Sequence, residues 1–93
     1  MTKKYINNKG KVTLLMTNKQ KYNKAFTESF SIDESALNNL EYNSITEWDS
    51  VGHMGLIASL EDTFDIMMEM DDIIDFSSYK KGFELIAKYG VDF

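Results

Sequence analysis

After residue 17, apolar side chains recur every three or four positions along most of the chain, which is the spacing of residues on one face of an α-helix. The first such segment follows Asn18, whose side-chain oxygen can accept hydrogen bonds from the free amides of a first helical turn. Its apolar face consists of Tyr22, Ala25, Phe26 and Phe30. The pattern therefore predicts a helix that begins at Asn18.

A second helix is predicted from Ser50 to about Phe64. Its spacing indicates a buried apolar stripe on one side, made of Val51, Met54, Ile57, Leu60 and Phe64. Serine is unfavourable inside a helix and favourable at its start, so Asp49 or Ser50 is expected to cap this helix.

The connection between these two helices, SIDESALNNLEYNSITEW, is polar but carries spaced apolar residues, which we expect to hold it against the core. Ser31 and Glu34 match a capping box and favour a one-turn helix from about Glu34 to Leu40. Trp48 is expected to anchor the connection, because an indole buries more apolar area than other side chains. Contact with a partner is the alternative.

Two further helices are predicted towards the C-terminus. Asp71 and Asp72 favour the start of a short helix at DDIIDF, because their charges suit the positive end of a helix dipole. The last helix follows Ser77 and Ser78, and Gly90 offers a left-handed C-cap. Its apolar face consists of Tyr79, Phe83, Ile86 and Tyr89.

These elements predict an all-α fold, a small bundle of three longer helices and one short helix. Residues 18–93 show no convincing alternation typical of strands and form the predicted domain. Residues 1–17 have no clean period, and KVTLLM suits either a short strand or an early helical turn. We expect residues 1–17 to be a poorly ordered basic extension.

The length of 93 residues allows only one small domain. A chain of this size is more typical of small binding or carrier modules than of an enzyme with its own deep substrate pocket. No apolar run approaches the roughly 20 residues of a membrane helix. The stretch VTLLM is too short for a signal-peptide core, so a cytoplasmic protein is expected. The absence of cysteine excludes disulfides, thiolate metal sites and cysteine nucleophiles.

Charge is distributed unevenly along the chain. Residues 1–24 hold seven lysines and no acidic residue, whereas residues 25–93 hold three lysines against fifteen acidic residues, a charge of −12. Such an anionic body repels nucleic acid and attracts partners with basic patches. We therefore expect no nucleic-acid partner and no membrane span, and we expect a monomer.

Few residues suit catalysis or metal binding. Ser50, His53 and Asp49 could compose a hydrolytic triad on paper, but one helix of a small bundle rarely supplies the oxyanion site and cleft that a triad needs. We interpret His53 as a partly exposed helix residue with a structural role. The acidic stretch DIMMEMDDIID lacks the ligand pattern of a calcium loop, which favours a solvated acidic face without a metal. Its methionines are expected to fill an irregular interior, or else to form a pliable wall for an apolar guest.

The window around Ser50, WDSVGHMGLIASLEDTFDI, resembles the acyl carrier proteins, also called phosphopantetheine-binding carrier proteins. Their hallmark is Asp-Ser-Leu at the start of the second helix, followed by an apolar stripe, acidic residues and a Phe-Asp-Ile exit. Asp49 and Ser50 match the pair, and Val51 stands in place of leucine. The rest of the match comprises Met54, Leu56, Ile57, Leu60, Glu61, Asp62, Phe64, Asp65 and Ile66, and the resemblance spans about residues 18–90.

Two positions depart from the family pattern. Glu47 and Trp48 stand where a glycine is common before the Asp-Ser pair, and the proline usual after the helix exit is missing. The Trp-Asp-Ser and Gly-His-Met features look more like discrete carriers of specialised or surface-polysaccharide pathways than like fatty-acid synthase carriers. Neither departure affects Ser50, the serine of the Asp-Ser pair.

The resemblance implies that the chain has no catalytic activity of its own. A phosphopantetheinyl transferase would move 4'-phosphopantetheine from coenzyme A onto Ser50, an acyl- or amino-acid-activating ligase would load its thiol, and a downstream acyltransferase or synthase would take the cargo. Partner recognition would rest on Glu47, Asp49, Val51, Met54, Glu61 and Asp62. Fatty acyl, hydroxyacyl and aminoacyl cargo all remain open. The alternative is an unmodified acidic helical module that binds a basic partner.

Overall fold

The computed structural model describes residues 4–6, 12–14 and 16–93, and its principal elements are four helices. The helices are α1 (Asn18–Phe30), α2 (Ser50–Phe64), α3 (Met70–Asp75) and α4 (Tyr79–Ala87), with a short 3-10 helix at Glu34–Ala36. The prediction of a mostly helical fold is thus confirmed. No helix in the described ranges is long and apolar enough to cross a membrane.

Two short strands precede the helices. Strand β1 (Lys4–Ile6) pairs antiparallel with β2 (Val12–Leu14), so that Tyr5 lies opposite Thr13. Of the two alternatives for KVTLLM, the strand is therefore the one observed, and the chain is not helical throughout. The expected poor order of residues 1–17 concerns mainly residues that lie outside the described ranges.

Helix α1 begins with a capping box at Thr17. The Thr17 hydroxyl accepts a hydrogen bond from Gln20 N at 3.1 Å, and the Gln20 side chain accepts one from Thr17 N at 2.8 Å. Thr17, and not Asn18, is thus the N-cap. The Asn18 amide instead donates to the carbonyl of Asp92 at 2.8 Å and holds the C-terminal segment against α1.

The connection after α1 contains less helix than predicted. Ser31 has φ 53° and ends α1 in the left-handed conformation, so it does not start the next helix. Asp33 caps the 3-10 helix instead, through a hydrogen bond that its carboxylate accepts from Ser35 N at 3.1 Å. The one turn is only three residues long and does not reach Leu40.

Helix α2 has the predicted bounds, but its buried face differs from the predicted stripe. Leu56, Ile57 and Leu60 are buried, whereas Val51 and Met54 are 80% and 53% exposed. Apolar residues occupy most of the circumference of this helix, so three- and four-residue spacing fits more than one face. Packing against the other helices selects the face that is buried.

Aromatic rings fill the core. The fully buried ones are Trp48, Tyr22, Phe26, Phe30 and Phe76. The Tyr22 hydroxyl donates to the carbonyl of Tyr79 at 2.6 Å, and burial raises the pKa of Tyr22 well above its ordinary value.

The segment around α3 corrects two predictions. Met68 is buried, but Met67 and Met70 are 85% and 67% exposed, so the methionines are not all interior. Asp72 does not belong to a solvated acidic face: it is buried and accepts hydrogen bonds from Lys88 Nζ, at 2.6 Å, and from the Tyr89 hydroxyl. Periodicity cannot detect such a partner because it lies sixteen residues further along the chain.

Helix α4 starts as predicted after Ser78, whose hydroxyl accepts from Lys81 N at 2.9 Å. The helix ends at Ala87, and Gly90 adopts the expected positive φ, 91°, three residues later. Tyr79 and Ile86 of the predicted face are buried, and Phe83 and Tyr89 are half-buried.

Candidate functional site

Ser50 is the first residue of α2 and is exposed. The cap of this helix is Asp49, whose carboxylate accepts a hydrogen bond from Gly52 N at 2.8 Å. Within the described part of the chain, the Ser50 hydroxyl has no hydrogen-bond partner. Because Asp49 caps the helix, the Ser50 hydroxyl is not needed as a cap. It lies in solvent at the positive end of the helix dipole.

The turn that carries Ser50 is bonded to α3 through His53. The indole Nε1 of Trp48 donates to His53 Nδ1 at 2.9 Å, and His53 Nε2 lies 2.7 Å from the carbonyl oxygen of Ile73. Since Nδ1 is the acceptor, Nε2 carries the hydrogen and donates it to Ile73. These two hydrogen bonds through His53, the His53 relay, therefore join the segment before α2 to the first turn of α2 and to α3.

The connection before α2 packs closely against the same turn at Gly52. A Cβ atom at this position would lie 1.9 Å from the carbonyl oxygen of Glu47. The main-chain amide of Asn43 also donates to the carbonyl of Trp48 at 2.9 Å, which ties the connection to itself just before the helix. Only a residue without a side chain allows this approach.

The geometry does not present a catalytic triad. Both ring nitrogens of His53 are engaged by Trp48 and Ile73, and the Asp49 carboxylate is engaged by Gly52 N. No base is thus directed at the Ser50 hydroxyl by these residues. Within residues 16–93, no three His, Asp or Glu side chains gather as a metal site would require.

The structure places most of the predicted partner-recognition residues on the surface. Val51 and Met54 lie one turn apart on the solvent side of α2, and Glu47, Asp49 and Asp62 are also exposed.

Glu61 differs from the other predicted recognition residues. It is half-buried, and its carboxylate accepts a hydrogen bond from Met68 N at 2.8 Å. This hydrogen bond fixes the loop between α2 and α3 against α2.

Several features of this region were not predicted from the sequence. The partners of His53 were not predicted, and neither was the close contact of Gly52, although a glycine in a helix is costly and can mark a close approach of the backbone. Tyr42 was not predicted to belong to this region; it is partly exposed and packs edge-on against the Trp48 and His53 rings, with centroid distances of 6.4 and 5.5 Å. The exposure of Ile74 on α3, beside the exposed Met70, was not predicted either.

No family model matches the chain, and no match is found among curated proteins or solved structures.

Proposed function

We propose that the chain is a discrete carrier protein of the acyl carrier type, which holds an acyl or aminoacyl group as a thioester on 4'-phosphopantetheine attached to Ser50. The observation that carries this proposal is the exposed Ser50 hydroxyl at the start of α2, which Asp49 relieves of the capping role. The residues that resemble the carrier family, from Trp48 to Ile66, provide the second support.

The start of α2 suits a phosphodiester. The main-chain amides of Ser50 and Val51 precede the first hydrogen bond of the helix, from His53 N to the carbonyl of Asp49, and the helix dipole favours negative charge beside them. Bound there, the prosthetic group supplies the thiol that a cysteine-free chain lacks. The relay through His53 keeps the turn in a fixed orientation, so that every partner meets Ser50 in the same geometry.

The surface beside Ser50 suits transient enzyme partners. Val51 and Met54 offer an apolar contact, and the acidic Glu47, Asp49 and Asp62 attract basic surfaces. Charges of this kind raise the rate of encounter more than the final affinity, which suits a protein that must visit several enzymes in turn.

Intact-mass measurement tests the attachment. After incubation with coenzyme A and a broad-specificity phosphopantetheinyl transferase, we expect the mass to rise by one phosphopantetheine group. Ser50→Ala should show no increment, whereas Ser77→Ala, which removes another exposed serine hydroxyl, should be modified like the original chain. No increment, or an increment that persists in Ser50→Ala, would refute the proposal.

An unmodified interaction module is the second candidate. It is favoured by the exposed apolar residues Val51, Met54, Met70 and Ile74, which occur together with an acidic surface. Such a module does not need the serine hydroxyl, so its biological activity would survive Ser50→Ala. The carrier would lose its activity in the same variant while remaining folded, because Ser50 is not the cap.

A further inference from the structure

We infer that the group carried on Ser50 stays outside the helical bundle, so that the cargo is a short or polar acyl group, such as a hydroxyacyl or aminoacyl group, and not a long alkyl chain. This inference rests on the proposed carrier function and specifies its cargo. It follows from how the first turn of α2 is closed on both sides and from how the interior behind it is filled.

One side of the turn is closed by the connection before α2. The carbonyl oxygen of Glu47 lies 1.9 Å from the position that a Cβ atom of Gly52 would take, and Trp48 has no exposed surface. A chain that enters the interior on this side has to displace a main-chain segment that is hydrogen-bonded to Asn43.

On the other side, a hydrogen bond between His53 and Ile73 joins α3 to the first turn of α2. Entry there separates α2 from α3 and breaks the hydrogen bond from His53 Nε2 to the carbonyl of Ile73. Movement of His53 also leaves the buried indole N–H of Trp48 without its acceptor. A buried donor without a partner is unfavourable, and an alkyl chain cannot replace the lost acceptor.

The interior behind this turn is filled by packed rings. Trp48 stacks on Phe30 with a centroid distance of 5.3 Å and meets Phe26 edge-on at 5.7 Å. Phe76 lies 6.1 Å from Phe26 on another side. Rigid rings at this density make room for a guest only if several of them move together.

The interior is also closely packed around Gly82 of α4. A Cβ atom at Gly82 would lie 2.0 Å from the Tyr22 hydroxyl and 2.3 Å from Cζ of Phe76. A region that cannot accept one methyl group without rearrangement does not accept a chain of methylenes.

A pocket at the surface does not provide an alternative place for an alkyl chain. It lies between the connection and the start of α4, and it is open and polar. The residues that line it are Asn38, Asn39, Leu40, Glu41, Ser78 and Lys80. An alkyl chain gains little there, because most of its surface would stay in contact with water or with polar groups.

The absence of cysteine allows a direct test. Ser50→Cys creates a single thiol, which can be alkylated with a spacer of pantetheine length that ends in an acetyl, octanoyl or dodecanoyl group. Thermal unfolding and amide hydrogen exchange of residues 16–93 are then compared between the three adducts. We expect the dodecanoyl adduct to have a melting temperature equal to or below that of the acetyl adduct, with the same exchange protection in α2 and α3.

A melting temperature that rises by several degrees with chain length, together with added protection in α2 and α3, would overturn the inference, since only a buried chain stabilises the fold in that way. The chemical attachment needs no transferase. A failure of enzymatic loading at Ser50 therefore refutes the carrier function, whereas the chain-length series alone decides whether the interior admits an alkyl chain.

Discussion

At the start of α2, Asp49 accepts the hydrogen bond from Gly52 N, and the hydroxyl of the neighbouring Ser50 stays outside this capping arrangement. Asp and Ser are both good N-cap residues, and the sequence alone left open which of them caps. The structure assigns the cap to Asp49. The two residues can therefore be separated by experiment, because Asp49 contributes to the stability of the helix and Ser50 is the residue of the proposed modification.

Gly52→Ala is expected to destabilise the fold by about 1–3 kcal/mol, because the new methyl group would lie 1.9 Å from the Glu47 carbonyl oxygen. Gly55→Ala is the matched control on the same helix, since nothing lies within 4 Å of its Cβ position. It should stabilise the fold by up to about 1 kcal/mol through helix propensity. Urea unfolding gives the change in the free energy of unfolding for each variant. Equal changes would show that the connection before α2 does not restrict the side chain at position 52.

The hydrogen-bond partners of His53 could not be predicted from the sequence. The residue was expected to have a structural role, and it has one, but its acceptor Ile73 lies twenty residues away on another helix. Patterns of three and four residues report only on neighbours along the same helix. A contact of this kind becomes visible only when the helices are packed together.

At the scale of the elements, α3 depends on its neighbours. Six residues are too few for a stable isolated helix. Its end is held by the hydrogen bond from His53 to Ile73, and its beginning by the Tyr89 hydroxyl, which accepts from Glu69 N at 2.9 Å. Asp72 adds the contact with Lys88. The orientation of α3 is thus set by α2 and by the end of α4.

The contact between α3 and the end of α4 should be sensitive to acid. Hydrogen bonds from Lys88 and then Tyr89 hold the pKa of the Asp72 carboxyl below its ordinary value of 3.8. The stabilisation is therefore present above about pH 3.8 and is lost as the pH falls through the lower folded-state pKa.

Asp72→Asn tests this contribution. We expect the variant to unfold at lower urea concentration near neutral pH, and to lose less stability on acidification than the original chain. Asp71→Asn, a change at the exposed neighbouring residue, should keep the original acid dependence. Urea unfolding over a series of pH values measures both effects. An unchanged acid dependence in Asp72→Asn would contradict this assignment.

The start of α2 was predictable because Asp49 and Ser50 are both good N-cap residues. Its end was predicted from the last residue of the apolar spacing, Phe64, and Asp65 follows in the left-handed conformation with φ 53°. The face of α2 was not predictable, because Val51 and Met54 are as apolar as the buried Leu56 and Ile57. Local chemistry sets where a helix begins and ends, whereas the rest of the molecule sets which side it buries.

At the scale of the whole molecule, the charge is divided along the chain. Seven of the ten lysines lie in residues 1–24, and all fifteen acidic residues lie after them. The exposed acids near Ser50 belong to this anionic part, so a basic partner would be attracted to the region where the hydroxyl stands.

Charge reversal tests this attraction. The double variant Glu47→Lys with Asp62→Lys is expected to lower kcat/KM of a basic-surfaced transferase by about ten-fold at low salt, and the loss should shrink at about 0.5 M NaCl. Glu84→Lys reverses an exposed acid on a different helix and should have little effect. Modification rates from intact mass give the ratio. A loss that does not depend on salt would assign the effect to direct contact and not to the electrostatic field.

The sole tryptophan of the chain lies two residues before Ser50, is fully buried, and shares a hydrogen bond with an imidazole. Indole emission is sensitive to the polarity and hydrogen bonding around the ring. The molecule thus contains an intrinsic fluorophore at the place where a prosthetic group would be attached, and optical spectroscopy can follow loading, docking and release there in real time without an added label.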